Sequence, residues 1–419
     1  VTAAAARFAG ISEGLPALHY VVPTAAPVEA PIRDEIFGPA RFEQHGDSLA
    51  AVHRLQPPGG ATRPETFFPR LQDNIAVLRR AGALLERRAR EGAHLGPAGH
   101  WLLDNATLIA EQAQAIRGAL SRSFYRRLPR LRDEPLAGLP RIYCLAWAYV
   151  AHSDSHLDET LLTAYLGAYQ RRRALTLAEL WALPTTLRVV LVENLRRLAE
   201  RVVATQAARD AAHQWFDGPE AARTTATLDR LHAELDRRGV AEAFVLQLEQ
   251  RQDELSVERC RDLAAWLTLR LAHAAEAEAR QQAQAIEDQQ SVRNAITALR
   301  RIDRIDWREL FQRDCQALQR LAECPVHAAE SAGTQERTLL AVQRLARESG
   351  QPEAEVARLL RDLCRRALDD EDPRGAPAWW WGGEGEAVLR QALGLRARRW
   401  PRQGSPALRR WATLLMLPG

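Results

Sequence analysis

Apolar residues recur at steps of three and four along most of the chain, and that spacing predicts α-helix. In residues 71–92, LQDNIAVLRRAGALLERRAREG, the positions Leu71, Ile75, Leu78, Ala81 and Leu85 fall on one face. Gly92 and Gly96 offer stops after it. The next helix is expected to begin in WLLDNATLIAEQ, residues 101–112, and to run on through IRGAL. There Trp101, Leu102, Leu108 and Ile109 read as core positions. Asp104 and Asn105 read as polar residues near the helix start, where capping is useful and the dipole favours an acid.

A short helix around SFYRRLPRL follows, and then a loop carrying Pro135, Gly138 and Pro140. The run IYCLAWAYVA, residues 142–151, is the longest apolar stretch in the body of the chain. A bilayer-spanning helix takes about 20 residues, so this run predicts a buried core helix. Ser155 with Asp158 has capping-box spacing and opens LDETLLTAYLGAYQR; Thr176 with Glu179 repeats the device. Pro184 is expected to kink or split the segment that follows. Beyond it, Leu187, Leu191, Leu195, Leu198 and Val202 predict a stripe with arginines on the opposite side. Residues 258–302 read as one long helix, with Leu263, Leu267, Leu271 and Ala274 packing against neighbours.

No stretch shows the period-two alternation of a strand, and no repeat has a fixed period. The expected fold is therefore all-α: an irregular multi-helix bundle or stacked helical hairpins, preceded by an extended Pro/Ala-rich segment. The expected divisions are a loop-rich segment at 1–68, a helical subdomain at 69–217, a long-helix subdomain at 218–370, and a Trp/Gly/Arg-rich segment at 371–419.

Composition sharpens this picture in a few places. A chain of 419 residues has room for two or three helical subdomains. All 57 basic residues are Arg, and there is no Lys, which points to a GC-rich bacterial coding sequence. The net charge of +4 is small beside 57 basic and 53 acidic residues, so no nucleic-acid partner is indicated. Arg-rich runs such as YRRLPRLR and ENLRRLAERVV are interleaved with acids and read as solvated faces laced with ion pairs. The cysteines Cys144, Cys260, Cys315, Cys324 and Cys364 are odd in number and widely spaced. Neither a disulfide framework nor a zinc site follows from them, and a reducing compartment suits them. No signal peptide is visible, and the initial Val marks either a fragment or a non-standard start.

The C-terminal segment changes character. DEDPRGAPAWWWGGEGE is rich in Pro, Gly and Trp, and Trp379, Trp380 and Trp381 suit a sugar face, a membrane surface or the core. After Ala387 no acid occurs, while Arg390, Arg396, Arg398, Arg399, Arg402, Arg409 and Arg410 accumulate. An uncharged apolar run then begins at Trp411. A basic collar before an apolar run is expected where a cytoplasmic segment enters a membrane helix; an amphipathic terminal helix is the alternative.

Chemistry is sparsely signalled. In AHSDSHLDE, residues 151–159, His152, Asp154, His156 and Asp158 alternate as metal ligands do in an extended segment. The capping role of Ser155 and Asp158 competes with that reading, because a helix starting there disperses the set, and capping is preferred. There is no GxSxG elbow, Gly-rich phosphate loop or HExxH. An α/α-barrel enzyme acting on carbohydrate is a second reading, since paired carboxylates come from distant loops and leave no spacing signal. A free-standing helical interaction or regulatory module is a third.

Four stretches together resemble one family. WLLDNATLIAEQAQAIRGALSRSFYRRLPRL, GLPRIYCLAWAYVAHSDSHLD, LTLAELWALPTTLRVVLVENLRRLAERV and SVRNAITALRRIDRIDWRELF look in order and spacing like the N-terminal region of the cyclic β-1,2-glucan synthases. PIRDEIFGPARFEQHGDSLA and EDPRGAPAWWWGGEGEAVLRQALG extend the similarity to residues 31–395 or so. The family implies a large bacterial inner-membrane protein that makes periplasmic glucan from UDP-glucose. Its transferase module would use a divalent metal, and cyclisation and phosphorylase-like modules would lie further along.

The region matched here would precede the membrane helices, on the cytoplasmic side. Its partners would be the transferase and membrane modules of the same polypeptide and, near the C-terminus, the membrane surface. The family's Q-x-x-R-W acceptor motif is not met: Arg399-Trp400 and Arg410-Trp411 lack Gln four positions before Trp. No D-x-D stands in a strand-and-loop setting either. No catalytic, cofactor-binding or metal residue is therefore carried over, and no cofactor is expected in this segment. The expected role is a non-catalytic module that positions or regulates the transferase. Trp101, Asp104, Asn105, Arg141, Asp154, Arg293, Asn294 and Trp380 form the candidate contact surface.

Overall fold

A computed structural model describes residues 14–21, 26–56, 67–119, 121–133, 136–219, 223–254, 257–271, 274–312, 315–368 and 373–396. The arginines from Arg398 to Arg410 and the apolar run from Trp411 lie outside the described residues, as do residues 1–13 and 57–66. Among the described residues the fold is all-α, without strands; the only β pairings are isolated bridges, Leu55 with Leu131 and Arg130 with Pro140. No described helix is long and apolar enough to cross a membrane. The chain divides into two compact units: Val1–Arg173 with Glu179–Leu310, and Ala174–Ala178 with Phe311–Gly419.

The first unit begins with helices α1 (Gly14–Val21) and α2 (Pro39–Val52); ahead of α2, residues 26–37 form an extended strap. It continues through α3 (Phe67–Arg90), α4 (Gly96–Asp104), α5 (Ala106–Ala119), α6 (Arg122–Arg127), α7 (Arg141–His152) and α8 (Glu159–Arg172). Helix α9 (Leu177–Asp217) is followed by α10 (Thr225–Arg237), α11 (Ala241–Gln250), α12 (Val257–Thr268) and α13 (Ala274–Ile302).

Helix α9 is the axis of this unit. A one-sided stripe was expected, but residues all around the helix are buried, among them Leu183, Val189, Val190, Val192, Leu195, Ala199, Ala204, Ala208 and Ala211. A helix apolar on every side is an interior helix. That also explains why Pro184 does not split it. Pro costs a helix interior about 3 kcal/mol, and burial of a single large aliphatic side chain supplies about 1.5–3 kcal/mol, so the packed neighbours outweigh the lost hydrogen bond. The arginines of α9 do not form a solvated face either. Arg196 is buried, and Arg196 and Arg197 pair with Glu29 and with Glu200 or Glu193.

Two other boundaries differ from the periodicity. Residues 258–302 are not continuous: α12 stops at Thr268 and α13 starts at Ala274. The amides of Arg270 and Leu271 donate back to the Leu267 carbonyl at 2.9 and 2.8 Å, closing the turn. Arg270 then lies over the Trp266 ring and pairs with Asp229, while Leu269 is exposed. The second difference lies at Asp104–Asn105, which stand at a junction: Asp104 ends α4, and Asn105 directly precedes α5, its carbonyl accepting the Ile109 amide at 3.0 Å.

Helix α14 (Trp307–Gln312) spans the division at Leu310–Phe311. The second unit packs α15 (Gln316–Ala322) and α17 (Ala332–Ser349) against α18 (Glu353–Leu368), with α16 (Pro325–Ala329) beside α15. Its core includes Leu318, Leu321, Val342, Leu345, Val356 and Leu360. A 3-10 turn at Pro377–Trp381 packs against α19 (Gly383–Ala392). Cys324 and Cys364, forty residues apart in sequence, meet there as buried thiols. The hydrogen bond from Cys364, joined by backbone donors, lowers the Cys324 thiol to about 6.

Candidate functional site

The best-defined polar centre of the first unit lies where the strap at 26–37 crosses α7, α9 and α13. Helix α7 ends in a Schellman-type turn: the Ser155 amide donates to the Val150 carbonyl at 2.9 Å. The left-handed positions that Gly usually takes are filled by Asp154 and Ser155, with φ of 47° and 63°. Each such non-Gly residue costs on the order of 1–3 kcal/mol, so the surroundings must hold them.

They do so through side chains from three distant elements. The Ser291 hydroxyl on α13 donates to Asp154 Oδ1. The Asn294 amide donates to Asp154 Oδ2 at 3.1 Å and to its carbonyl at 3.0 Å. Asn194 on α9 donates to Ser155 Oγ at 2.8 Å and accepts the Ile32 amide at 2.7 Å. Arg33 of the strap reaches Ser291 Oγ at 3.3 Å and Glu287 at 2.6 Å. Burial pushes the Asp154 carboxyl above the usual range, although Ser291, Arg33 and Asn294 oppose the shift.

The four residues of the alternating His/Asp motif go to separate partners. His152 stacks on Phe37 with ring centroids 3.8 Å apart, and its Nδ1 lies 2.8 Å from the Glu35 carbonyl. Asp154 faces α13. Asp158 is itself the N-cap of α8, accepting the Leu161 amide at 3.0 Å, whereas Ser155 is buried and left-handed; the expected Ser155–Asp158 capping box is therefore replaced by a single Asp cap. His156 is exposed. This is not a donor set, and among the described residues no group of three or more His, Cys, Asp or Glu is placed to hold a metal.

A second polar layer surrounds Arg141 at the start of α7. Its guanidinium makes a two-pronged pair with Glu179 of α9, Nε to Oε1 at 2.7 Å and Nη2 to Oε2, with both side chains almost fully buried. Further along α9, Glu193 accepts Arg70 Nε at 3.0 Å and Arg197 at 2.8 Å. Burial drives the Glu193 carboxyl up, but Arg70 and Arg197 outweigh it and hold it below the usual range.

A third contact joins the α4–α5 junction to α13. Asn105 is buried; its amide donates to the Trp101 carbonyl at 2.8 Å and its oxygen accepts Arg300 at 2.5 Å. Two turns on, Gln112 links Arg188 of α9 and Asp303, each at 2.8 Å.

Of the residues singled out in the sequence, Asp154 and Asn294 are brought together. Arg141 is interior and paired, as is Trp380 of the second unit, whose indole donates to the Arg374 carbonyl at 2.6 Å. Trp101 is half-buried, and Asp104 and Arg293 are exposed. Sequence reasoning missed Arg33, Asn194, Ser291, Glu193 and Arg300. Asn194 and Glu193 left one signal, being polar residues inside the apolar run of α9. The four stretches that carried the family resemblance thus supply each other's partners: Asn105 with Arg300, Gln112 with Arg188, Arg141 with Glu179, and Asp154 with Asn294.

No family model matches the chain. The cyclic beta-(1,2)-glucan synthase NdvB of Rhizobium meliloti (strain 1021) is 32% identical over 346 residues, which make up 80% of this chain. The chain spans 12% of the length of that relative. Over most of its length, then, the chain is related to a cyclic β-1,2-glucan synthase.

Proposed function

We propose that this chain is a non-catalytic, N-terminal helical module of a cyclic β-1,2-glucan synthase, standing on the cytoplasmic face of the inner membrane. There it positions or regulates the transferase module of the same polypeptide. Transfer from UDP-glucose, and the divalent metal that serves it, belong to that other module. The observation that carries this reading is the mutual pairing of the polar residues in the family-like stretches, Arg141 with Glu179, Asp154 with Asn294 and Asn105 with Arg300. Side chains held against one another in the interior preserve a shape; a catalytic carboxylate has to face a substrate. The relative's much greater length supports a place within a larger assembly.

Two incubations of the purified chain test the reading. One supplies β-1,2-glucan, and the other supplies UDP-glucose with magnesium or manganese; glucan size and released UDP are then followed. The expected result is no change over a blank. Turnover in either arm, lost in a variant of this chain, overturns the non-catalytic assignment. For the positioning role, exposed Asp104 and Arg293 are replaced in the longer polypeptide by Arg and Glu respectively. Glucan synthesis is expected to fall while membrane insertion and the fold of this module stay unchanged.

A further inference from the structure

Beside the polar centre, the first unit holds an open cavity of about 490 Å³. It is bounded by the start of α4, the middle of α9, the turn between α10 and α11, and α13. Four guanidinium groups line it, from Arg201 and Arg209 on α9, Arg238 after α10 and Arg280 on α13, against only two carboxylates, Glu242 and Asp288. The arginines come from three different elements and converge, which a solvated helix face does not do.

Arg238 is paired with Glu234 at 3.2 Å, while the partners of the other three leave charge to spare. Arg201 meets Asp288 at a long 3.4 Å, and burial pushes the Asp288 carboxyl above its usual range. Desolvation holds the Arg201 guanidinium below its ordinary value, the mark of a cation whose surroundings under-compensate it. Arg209 has a neutral partner, Gln281, at 3.3 Å. Arg280 pairs with Glu242 at 2.7 Å on the exposed rim, where such a pair contributes little.

Two helix N-termini add to the positive field. The N-cap residues of α4 and α11, Leu95 and Val240, both line the cavity, and neither supplies a side-chain cap. The first-turn amides of a helix lack partners within it and carry the positive end of its dipole, a setting that favours phosphate. Val28, Val202 and the caps Leu95 and Val240 give the same cavity an apolar wall, and its volume exceeds what a phosphate ion fills. From the convergence of these arginines and two open helix ends on one cavity, we propose that it binds a small organic phosphate. The phosphate lies among Arg201, Arg209 and Arg280, and the organic part lies against the apolar wall.

The site requires no catalysis by this chain, so it stands or falls separately from the non-catalytic reading. The test is isothermal titration of the full chain with sodium pyrophosphate as probe, in buffer free of other polyanions. One saturable site is expected, weakening steeply as sodium chloride is raised. The Arg209→Gln/Arg280→Gln variant, altered only at exposed arginines, should keep the parent's thermal melt and bind at least about tenfold more weakly. A control, Arg365→Gln/Arg366→Gln on α18, should bind as the parent does. Absence of saturable binding, or equal weakening in both variants, overturns the proposal.

Discussion

Arg141 and Glu179 meet in the interior as a two-pronged ion pair, with side-chain exposures of 3% and 0%. The pair ties the first turn of α7 to α9, and Arg141 also lies over the Tyr169 ring of α8 at 5.7 Å. Removing one partner of such a pair leaves an uncompensated buried charge. Glu179→Ala is therefore expected to destabilise the first unit by about 3–5 kcal/mol. The double replacement Arg141→Met/Glu179→Leu should recover most of that loss, because desolvation of two charges is removed with them. Urea unfolding of the singles and the double makes the check. Equal loss in all three would mean that packing, and not charge pairing, dominates here.

Asp154 gives a pH dependence of definite sign. Its folded carboxyl is raised by burial, so between the ordinary carboxylate range and the raised value the folded state holds a proton that the unfolded state has released. Stability contributed by this group is complete below the unfolded value and is lost as pH rises through the folded one. The charged groups facing it are Arg33 of the strap and Glu287 of α13. Asp154→Asn removes the titration while keeping a residue that tolerates the left-handed backbone. The melting temperature of the parent relative to Asp154→Asn should fall with rising pH across that window and level off above it. A flat difference, or one rising with pH, would contradict the assignment.

The pattern of residues 71–85 was legible because one face of α3 is buried and the other is wet, which writes a 3.6-residue period into the sequence. Helix α9 hid its true extent for another reason: Pro184 predicts a kink or split, and burial on every side of the helix carries it through that position. The break after α12 was equally hidden, since Arg270 owes its place to Trp266 and Asp229 and not to a turn signature. The polar centre was half legible. Asp154 and Asn294 stood out as polar residues in family-like stretches, but 140 positions separate them, and only the contact of the turn after α7 with α13 shows that they touch. The candidate contact surface includes Arg141 and Trp380, for which the core is the alternative only at the Trp; the carboxylate of Glu179 and the carbonyl of Arg374 let both be buried.

The Asp104–Asn105 pair now separates into two unlike residues. Asp104 is exposed at the end of α4, and Asn105 is buried between α4, α5 and α13. Asn105→Ala leaves the Arg300 guanidinium without this acceptor and the Trp101 carbonyl without its donor. A loss of about 1.5–3 kcal/mol is expected, the scale of a hydrogen bond to a charged group. Asp104→Ala should stay within about 0.5 kcal/mol of the parent, as surface substitutions usually do. Chemical denaturation of the two variants side by side decides it, and similar losses in both would reject the division of roles.

Helices α2 and α8 pack most extensively of the pairs in the first unit, and Gly46 lies against α8 at that contact. A Cβ at Gly46 would overlap the Tyr165 carbonyl oxygen and lie 3.3 Å from the Ala168 Cβ. Neither neighbour is the free end of a flexible side chain, so the helices themselves would have to part. Gly46→Ala is expected to cost about 1–3 kcal/mol by overpacking, despite the better helix propensity of Ala. Gly82 in α3 has nothing within 4 Å of the same added atom. There the propensity term acts alone, and Gly82→Ala should gain about 0.5–1 kcal/mol. The two substitutions are chemically identical, so opposite shifts in melting temperature would isolate the helix contact as the cause. A gain at both sites would show that α2 and α8 can separate without penalty.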